Sequence, residues 1–266
     1  MARKLKQFDP EHVSPAPLAE ALGVEFIPEL LEQALTHSSY GYEQQVDDYE
    51  RLEFLGDSVL SLAVATMLYR ANPGMDEGEL SKLHHTVVSE LALAEVARTY
   101  DIGTYLRLGR SEVLSGGEDK DSILADAVEA LIGAAYLSAG HDVADALVQR
   151  LIAPILADVS RFAAASDPKT ALEDALAARG GGVQSFVVTG EGPHHDRVFT
   201  AELSVVRDGR AVLTTTGTGR SKKQAELAAA LIAWCEVTGT PHPTLGRPDG
   251  PGDDATAPSS PGAAPA

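Results

Sequence analysis

The sequence predicts an all-α domain followed by a small α+β domain of order α-β-β-β-α, within 266 residues. Three observations lead there. From about Leu18 to Leu156, apolar residues recur at three- and four-residue spacing, the period of a helix buried along one face. In Phe199-Thr200-Ala201-Glu202-Leu203-Ser204-Val205 the apolar residues instead alternate strictly with polar ones, the period of a half-buried strand. Residues 239–266 hold seven of the fifteen prolines and no apolar period, so they cannot bury enough surface to offset chain entropy.

Taken in order, the helical region (15–158) is punctuated at Asn72-Pro73-Gly74, Ser115-Gly116-Gly117 and Ala139-Gly140. Residues 159–167, centred on Phe162-Ala163-Ala164-Ala165-Ser166, read as a short linker. Asp167-Pro168 opens the second domain (168–238) as an N-cap acid with proline at the first helical position. That helix runs to Arg179 and stops at Gly180-Gly181-Gly182. Between two strands, Asp208-Gly209 is a two-residue hairpin turn, since both positions need positive φ. Ser221 and Gln224 form a capping-box pattern that starts a last helix, running to about Val237. Residues 239–266 are expected to be a disordered tail.

Composition narrows the class. With 44% apolar and 23% charged residues the chain reads as globular. The single cysteine, Cys235, excludes a disulfide framework and a four-cysteine zinc site. No segment is expected to reach the ~20-residue apolar span of a membrane helix, and Met1-Ala2-Arg3-Lys4-Leu5-Lys6 leads into Asp9-Pro10-Glu11 without a signal-peptide core. A cytoplasmic protein with no membrane partner is expected. The net charge of −18 is uneven: residues 1–158 carry −16, residues 159–238 balance to zero, and residues 239–266 carry −2. This rules out a generally basic surface but leaves room for a local basic patch in the second domain.

Some acids stand where solubility does not explain them. Between Ser122 and Gly140 the only charged residues are Asp126 and Glu129, one helical turn apart among Ile123, Leu124, Val128, Leu131 and Ile132. Two like charges on a largely buried helix repel each other and resist desolvation. In Tyr49-Glu50-Arg51-Leu52-Glu53-Phe54-Leu55-Gly56-Asp57, Glu50, Glu53 and Asp57 fall within about 60° of arc on an ideal helix. Gly56 inside that helix costs roughly 1 kcal/mol relative to alanine, which close approach of another helix or a ligand would explain. Two such helices side by side would gather four or five carboxylates, a ligand set for a hard divalent ion such as Mg²⁺ and for metal-assisted phosphodiester hydrolysis. A di-iron bundle would need helical Glu-x-x-His, and Glu191-Gly192-Pro193-His194, in a loop, is the only such run.

The second domain offers cations at one place. Arg220, Lys222 and Lys223 flank the start of the last helix, where the macrodipole disfavours lysine but a phosphate would be held by both amides and ammonium groups. The turn Gly192-Pro193-His194-His195-Asp196 could present a histidine to a sugar hydroxyl.

These residues carry a family resemblance. Glu50-Arg51-Leu52-Glu53-Phe54-Leu55-Gly56-Asp57-Ser58-Val59-Leu60 resembles the signature of bacterial ribonuclease III, and Ser122 through Gly133 resembles its second catalytic motif. Ala34-Leu35-Thr36-His37-Ser38-Ser39-Tyr40 and Asp76-Glu77-Gly78-Glu79-Leu80 match further family segments in the same order, and residues 168–238 are similar to a double-stranded-RNA-binding domain. The resemblance implies a homodimer that cuts double-stranded RNA, leaving 5′-phosphate and 3′-hydroxyl ends with two-nucleotide 3′ overhangs, with a role in processing rRNA precursors and other structured transcripts. It implies Glu53, Asp126 and Glu129 as Mg²⁺ ligands, with Mn²⁺ expected to substitute and no small-molecule cofactor. Asp57 would position a water, Glu129 would be both ligand and catalytic, and Glu50 and Glu77 would be supporting acids around the site and dimer contact. Thr170, Glu173, His195, Arg220, Lys222 and Lys223 would face RNA, read by its A-form shape.

Three departures mark this chain. Tyr49 stands where the family usually has asparagine, Glu173 stands where glutamine is common, and Val183-Gln184-Ser185-Phe186 lacks the usual proline and tyrosine. The rival reading is a non-catalytic double-stranded-RNA-binding protein, which has no reason to keep Asp126 and Glu129 in an apolar helix. A nucleotide phosphohydrolase would leave the second domain without a purpose.

Overall fold

The computed structural model describes residues 13–193 and 197–240. His195 and residues 241–266, most of the expected tail, lie outside the described residues. The first region contains helices α1 (Ala16–Leu22), α2 (Pro28–Ala34), α3 (Ser38–Gln44), α4 (Glu50–Ala71), α5 (Glu77–Val87) and α6 (Glu90–Thr99). It continues with α7 (Arg110–Leu114), α8 (Asp121–Ala139) and α9 (His141–Ala157). All three expected breaks separate helices. Local chemistry fixes several starts. Asp76 and Glu79 form a reciprocal capping box at the head of α5, and the Ser89 hydroxyl accepts the Ala92 N–H at the head of α6.

The core is built around α8. Its Leu124, Val128, Leu131, Ile132 and Ala135 are buried with Leu60, Val64 and Leu68 of α4, Leu93 and Ala97 of α6, and Val148 and Ile152 of α9. Both α4 and α8 have the length and mean hydropathy of a membrane span, which corrects the expectation that no segment does. In this fold α8 is a core helix, with 61% of its apolar window buried within the protein, whereas α4 buries 39% of its window and leaves the rest at the surface.

The segment expected as a linker is largely a helix, α10 (Val159–Ser166). Its alanines favour helix, and Phe162 is fully buried in the helical core while Ala164 is buried in the second one. Arg161 anchors it: the guanidinium pairs with both oxygens of Glu95 on α6 and donates to Asp158 at 2.7 Å.

The second domain follows as α11 (Pro168–Ala177), β1 (Val183–Glu191), β2 (Val198–Arg207), β3 (Arg210–Gly219) and α12 (Lys222–Thr238). The strands form one antiparallel sheet in the order β1-β2-β3, with Phe186 opposite Leu203 and Leu203 opposite Thr215. Asp208 and Gly209 have φ of 51° and 76°, the hairpin turn expected from their identities. Ala201, Leu203 and Val205 of β2 are buried against Leu172 and Leu176 of α11 and Ala225, Ala229 and Trp234 of α12. A Cβ on Gly217 would lie 2.2 Å from the Ala229 nitrogen, so that glycine lets α12 lie directly on β3.

Candidate active site

The site is set by how closely two backbones approach. A Cβ on Gly56 of α4 would stand 1.8 Å from the Glu129 carbonyl oxygen, and a Cβ on Gly133 of α8 would stand 2.2 Å from that of Leu52. Each glycine removes the one atom that would hold the helices apart. The cost of Gly56 is therefore explained by the approach of another helix. Glu53 and Asp57 flank Gly56 on one side of the crossing, and Asp126 and Glu129 face them from the other. The sequence-predicted quartet is brought together although its halves are 69 or more residues apart.

Electrostatics bears out that proximity. Burial pushes the Glu129 carboxyl up to about 8, helped by Asp57, Glu53 and Asp126. Glu53 is raised by burial, then by Asp126, Glu50 and Asp57. Asp126 is raised by burial against the opposing pull of the Tyr49 hydroxyl and His37. Among the described residues no three His, Cys, Asp or Glu side chains already stand close enough together to hold a metal ion. A hard divalent cation fits this donor set, because all four donors are carboxylates, they repel one another, and Mg²⁺ needs only a few protein oxygens beside its waters.

Around the quartet, Glu50 is exposed at the first turn of α4, where its N–H donates to Asp48 at 3.1 Å. Its charge is felt by Glu53. Glu77 stands apart: exposed on α5, it accepts the Ser81 hydroxyl at 2.9 Å and lines a groove with Tyr69, Met75 and His84.

Sequence reasoning missed two neighbours. Glu90 at the head of α6 is raised by burial and by Asp121 and Asp126, which puts a further acid beside the site. Tyr49, which the sequence marks only as a departure, is buried and donates its hydroxyl to Asp126 Oδ2 at 3.4 Å. Burial and the adjacent carboxylates raise its phenol above the usual tyrosine range. A tyrosine in place of the expected asparagine was the available signal for Tyr49; Glu90 gave none.

In the second domain Thr170 and Glu173 are exposed one turn apart on α11, and together with Lys169, Gly182 and Gln184 they line a shallow pocket. Lys222 and Lys223 are exposed on the first turn of α12, whose start is fixed by the Ser221 hydroxyl accepting the Gln224 N–H at 3.2 Å. Arg220 precedes that cap, also exposed. Lys169 is already engaged, paired with Glu226 at 2.5 Å and lying 4.6 Å from the centre of the Phe186 ring.

Comparison with known proteins agrees with both halves. Residues 28–156 match the family described as Ribonuclease-III-like, and residues 168–237 match the double-stranded RNA binding motif. The chain is 55% identical over 229 residues to Ribonuclease 3 of Leifsonia xyli subsp. xyli, covering 86% of this chain and 95% of that protein. It is 47% identical over 233 residues to Ribonuclease 3 of Streptomyces coelicolor, covering 87% of this chain and 83% of that one. A solved nuclease domain of ribonuclease III from Campylobacter jejuni superposes with a TM-score of 0.51 at 39% identity, over 53% of this chain and 97% of that one. The chain therefore belongs to the ribonuclease III family: it is an endoribonuclease with a helical nuclease domain followed by a double-stranded-RNA-binding domain.

Proposed function

We propose that the chain hydrolyses double-stranded RNA as a homodimer, with Mg²⁺ held by Glu53, Asp126 and Glu129 and with Mn²⁺ able to substitute. The products would carry 5′-phosphate and 3′-hydroxyl ends, and rRNA precursors and other structured transcripts are the expected substrates. The observation that carries this reading is the Gly56–Gly133 crossing, which sets two pairs of carboxylates against each other and pushes Glu129 up to about 8. The family is one of metal-dependent nucleases. When bound, the cation supplies Lewis acidity, acidifying water and offsetting charge at the scissile phosphate.

The residues of the chain do the rest. Glu53, Asp126 and Glu129 hold the charge in place, and exposed Asp57 orients water for in-line attack. Lys222 and Lys223 grip backbone phosphates, so that the neutral domain docks a substrate that the acidic domain alone repels. Support for the dimer comes from α4, where Phe54, Leu62 and Tyr69 are 78%, 60% and 74% exposed on one side of the helix. Large apolar side chains gathered on one face are unusual for a surface that stays in water. The C. jejuni nuclease domain is described by a region involved in dimer formation.

The test is a gel assay of a long RNA duplex with Mg²⁺, with Ca²⁺ and with EDTA, beside single-stranded RNA. Duplex-specific fragments are expected in Mg²⁺ and a retarded intact duplex in Ca²⁺. Asp57→Asn and Glu129→Gln are expected to abolish cleavage and keep duplex binding. Normal cleavage by both variants sinks the site assignment, and retarded intact duplex in every wild-type lane returns the binding-only reading.

A further inference from the structure

Tyr49 is held at its backbone, its ring and its hydroxyl. Its N–H donates to the Thr36 carbonyl at 2.9 Å, and its own carbonyl accepts the N–H groups of Leu52 and Glu53 at 2.8 and 2.9 Å, which starts α4. Its ring is 2% exposed and meets His37 edge to face, with centroids 5.6 Å apart. His37 is fixed in turn, its ring Nδ1 accepting the Ser39 backbone N–H at 3.2 Å and its backbone N–H donating to the Arg107 carbonyl at 3.0 Å. A phenylalanine would fill this space equally well. What tyrosine adds is one hydroxyl, placed within reach of Asp126 Oδ2, 77 residues away on α8. Buried phenols seek a partner, and here the partner is one of the proposed metal ligands.

We propose that Tyr49 is a positioning residue for the metal centre, its hydroxyl orienting Asp126 so that the other carboxylate oxygen is left for the cation. The role rests on the reading of Glu53, Asp126 and Glu129 as metal ligands. Because Tyr49 sits one turn before Glu53, the hydroxyl links the ligand on α4 to the ligand on α8 through a rigid element. Hydrogen-bond partners of ligating carboxylates act this way generally: they fix the orientation of the group, and their loss weakens metal affinity.

The experiment uses the full chain and Mn²⁺, counted as free ion by electron paramagnetic resonance at fixed pH, together with duplex cleavage titrated with Mg²⁺. Tyr49→Phe keeps the ring and its packing, so its melting temperature without metal should stay within about 4 °C of the wild type. Its Mn²⁺ Kd is expected to rise about 10-fold, with a matching rise in the Mg²⁺ needed for half-maximal activity. At saturating Mg²⁺ its kcat should return to within about twofold, a split that a general loss of structure would not give. Asp126→Asn is the reference that loses a ligand. If Asp126→Asn loses Mn²⁺ and Tyr49→Phe binds it as wild type does, the positioning role is overturned while the metal site stands. If neither change alters Mn²⁺ binding, the metal reading fails and the role of Tyr49 fails with it.

Discussion

Replacing Glu129 with glutamine removes a charge and keeps the shape of the side chain, which makes it a direct probe of the electrostatic cost of the site. In the folded protein Glu129 titrates at about 8 against an ordinary value of 4.5. A carboxyl raised in this way favours the native state fully below pH 4.5 and loses that contribution as the pH climbs through 8. Each pH unit between the two values corresponds to about 1.4 kcal/mol, so ionised Glu129 costs at most about 5 kcal/mol. The side chain is partly exposed, and solvent screening reduces this to roughly 1–3 kcal/mol. For a domain of this size that is a difference of roughly 3–10 °C in melting temperature. Thermal unfolding in EDTA should therefore give nearly coincident melts for wild type and Glu129→Gln at pH 4, below the ordinary value of 4.5, and a variant that melts higher by that amount at pH 9. Saturating Mg²⁺ should raise the wild type at pH 9 and narrow the gap. Equal melts at both pH values, or a variant that melts lower at pH 9, would refute the reasoning, because ionised Glu129 would then carry no strain.

Gly133→Ala drives a methyl group against the Leu52 backbone and should destabilise by about 1–3 kcal/mol; denaturant unfolding measures the loss, and duplex cleavage should fall with it as Glu53 is forced away from Asp126. The double variant Lys222→Ala, Lys223→Ala should lower duplex affinity and reduce the log–log salt slope by about 2, one for each phosphate that is no longer neutralised, as read by filter binding over a salt series. Glu173→Gln removes an exposed acid from α11 and should tighten duplex binding by about twofold to fivefold at low salt, an effect that vanishes in high salt if it is electrostatic.

The parts of this site that are legible in the sequence are those that violate a local rule. Asp126 and Glu129 stand out because nothing else on their helix between Ser122 and Gly140 is charged, and Gly56 because glycine is costly inside a helix. Gly133 carries the same cost inside α8, but it is inconspicuous beside Ile132, Ala134 and Ala135 in a run of small and apolar residues. Its meaning exists only against Leu52, 81 positions earlier. The Tyr49–Asp126 contact is non-local in the same way. The helix over Val159–Ser166 is hidden for a different reason: a short alanine- and serine-rich stretch resembles a tether until the burial of Phe162 is known. Hydropathy also misleads at α4 and α8, since long apolar helices look alike whether a membrane or other helices surround them.

The rooting of Phe162 in one core and Ala164 in the other affects how the protein can be dissected. Cutting at 158, where the helical region read from the sequence ends, or at 156, where the match to the nuclease family ends, removes a phenyl ring that is fully buried in the first core. Emptying a fully buried phenylalanine site typically costs about 3–5 kcal/mol. A nuclease fragment trimmed at either point would start with a deficit unrelated to RNA, and weak activity in it would be misattributed to the missing binding domain. Retaining Arg161 and Phe162 in such a fragment separates the two effects.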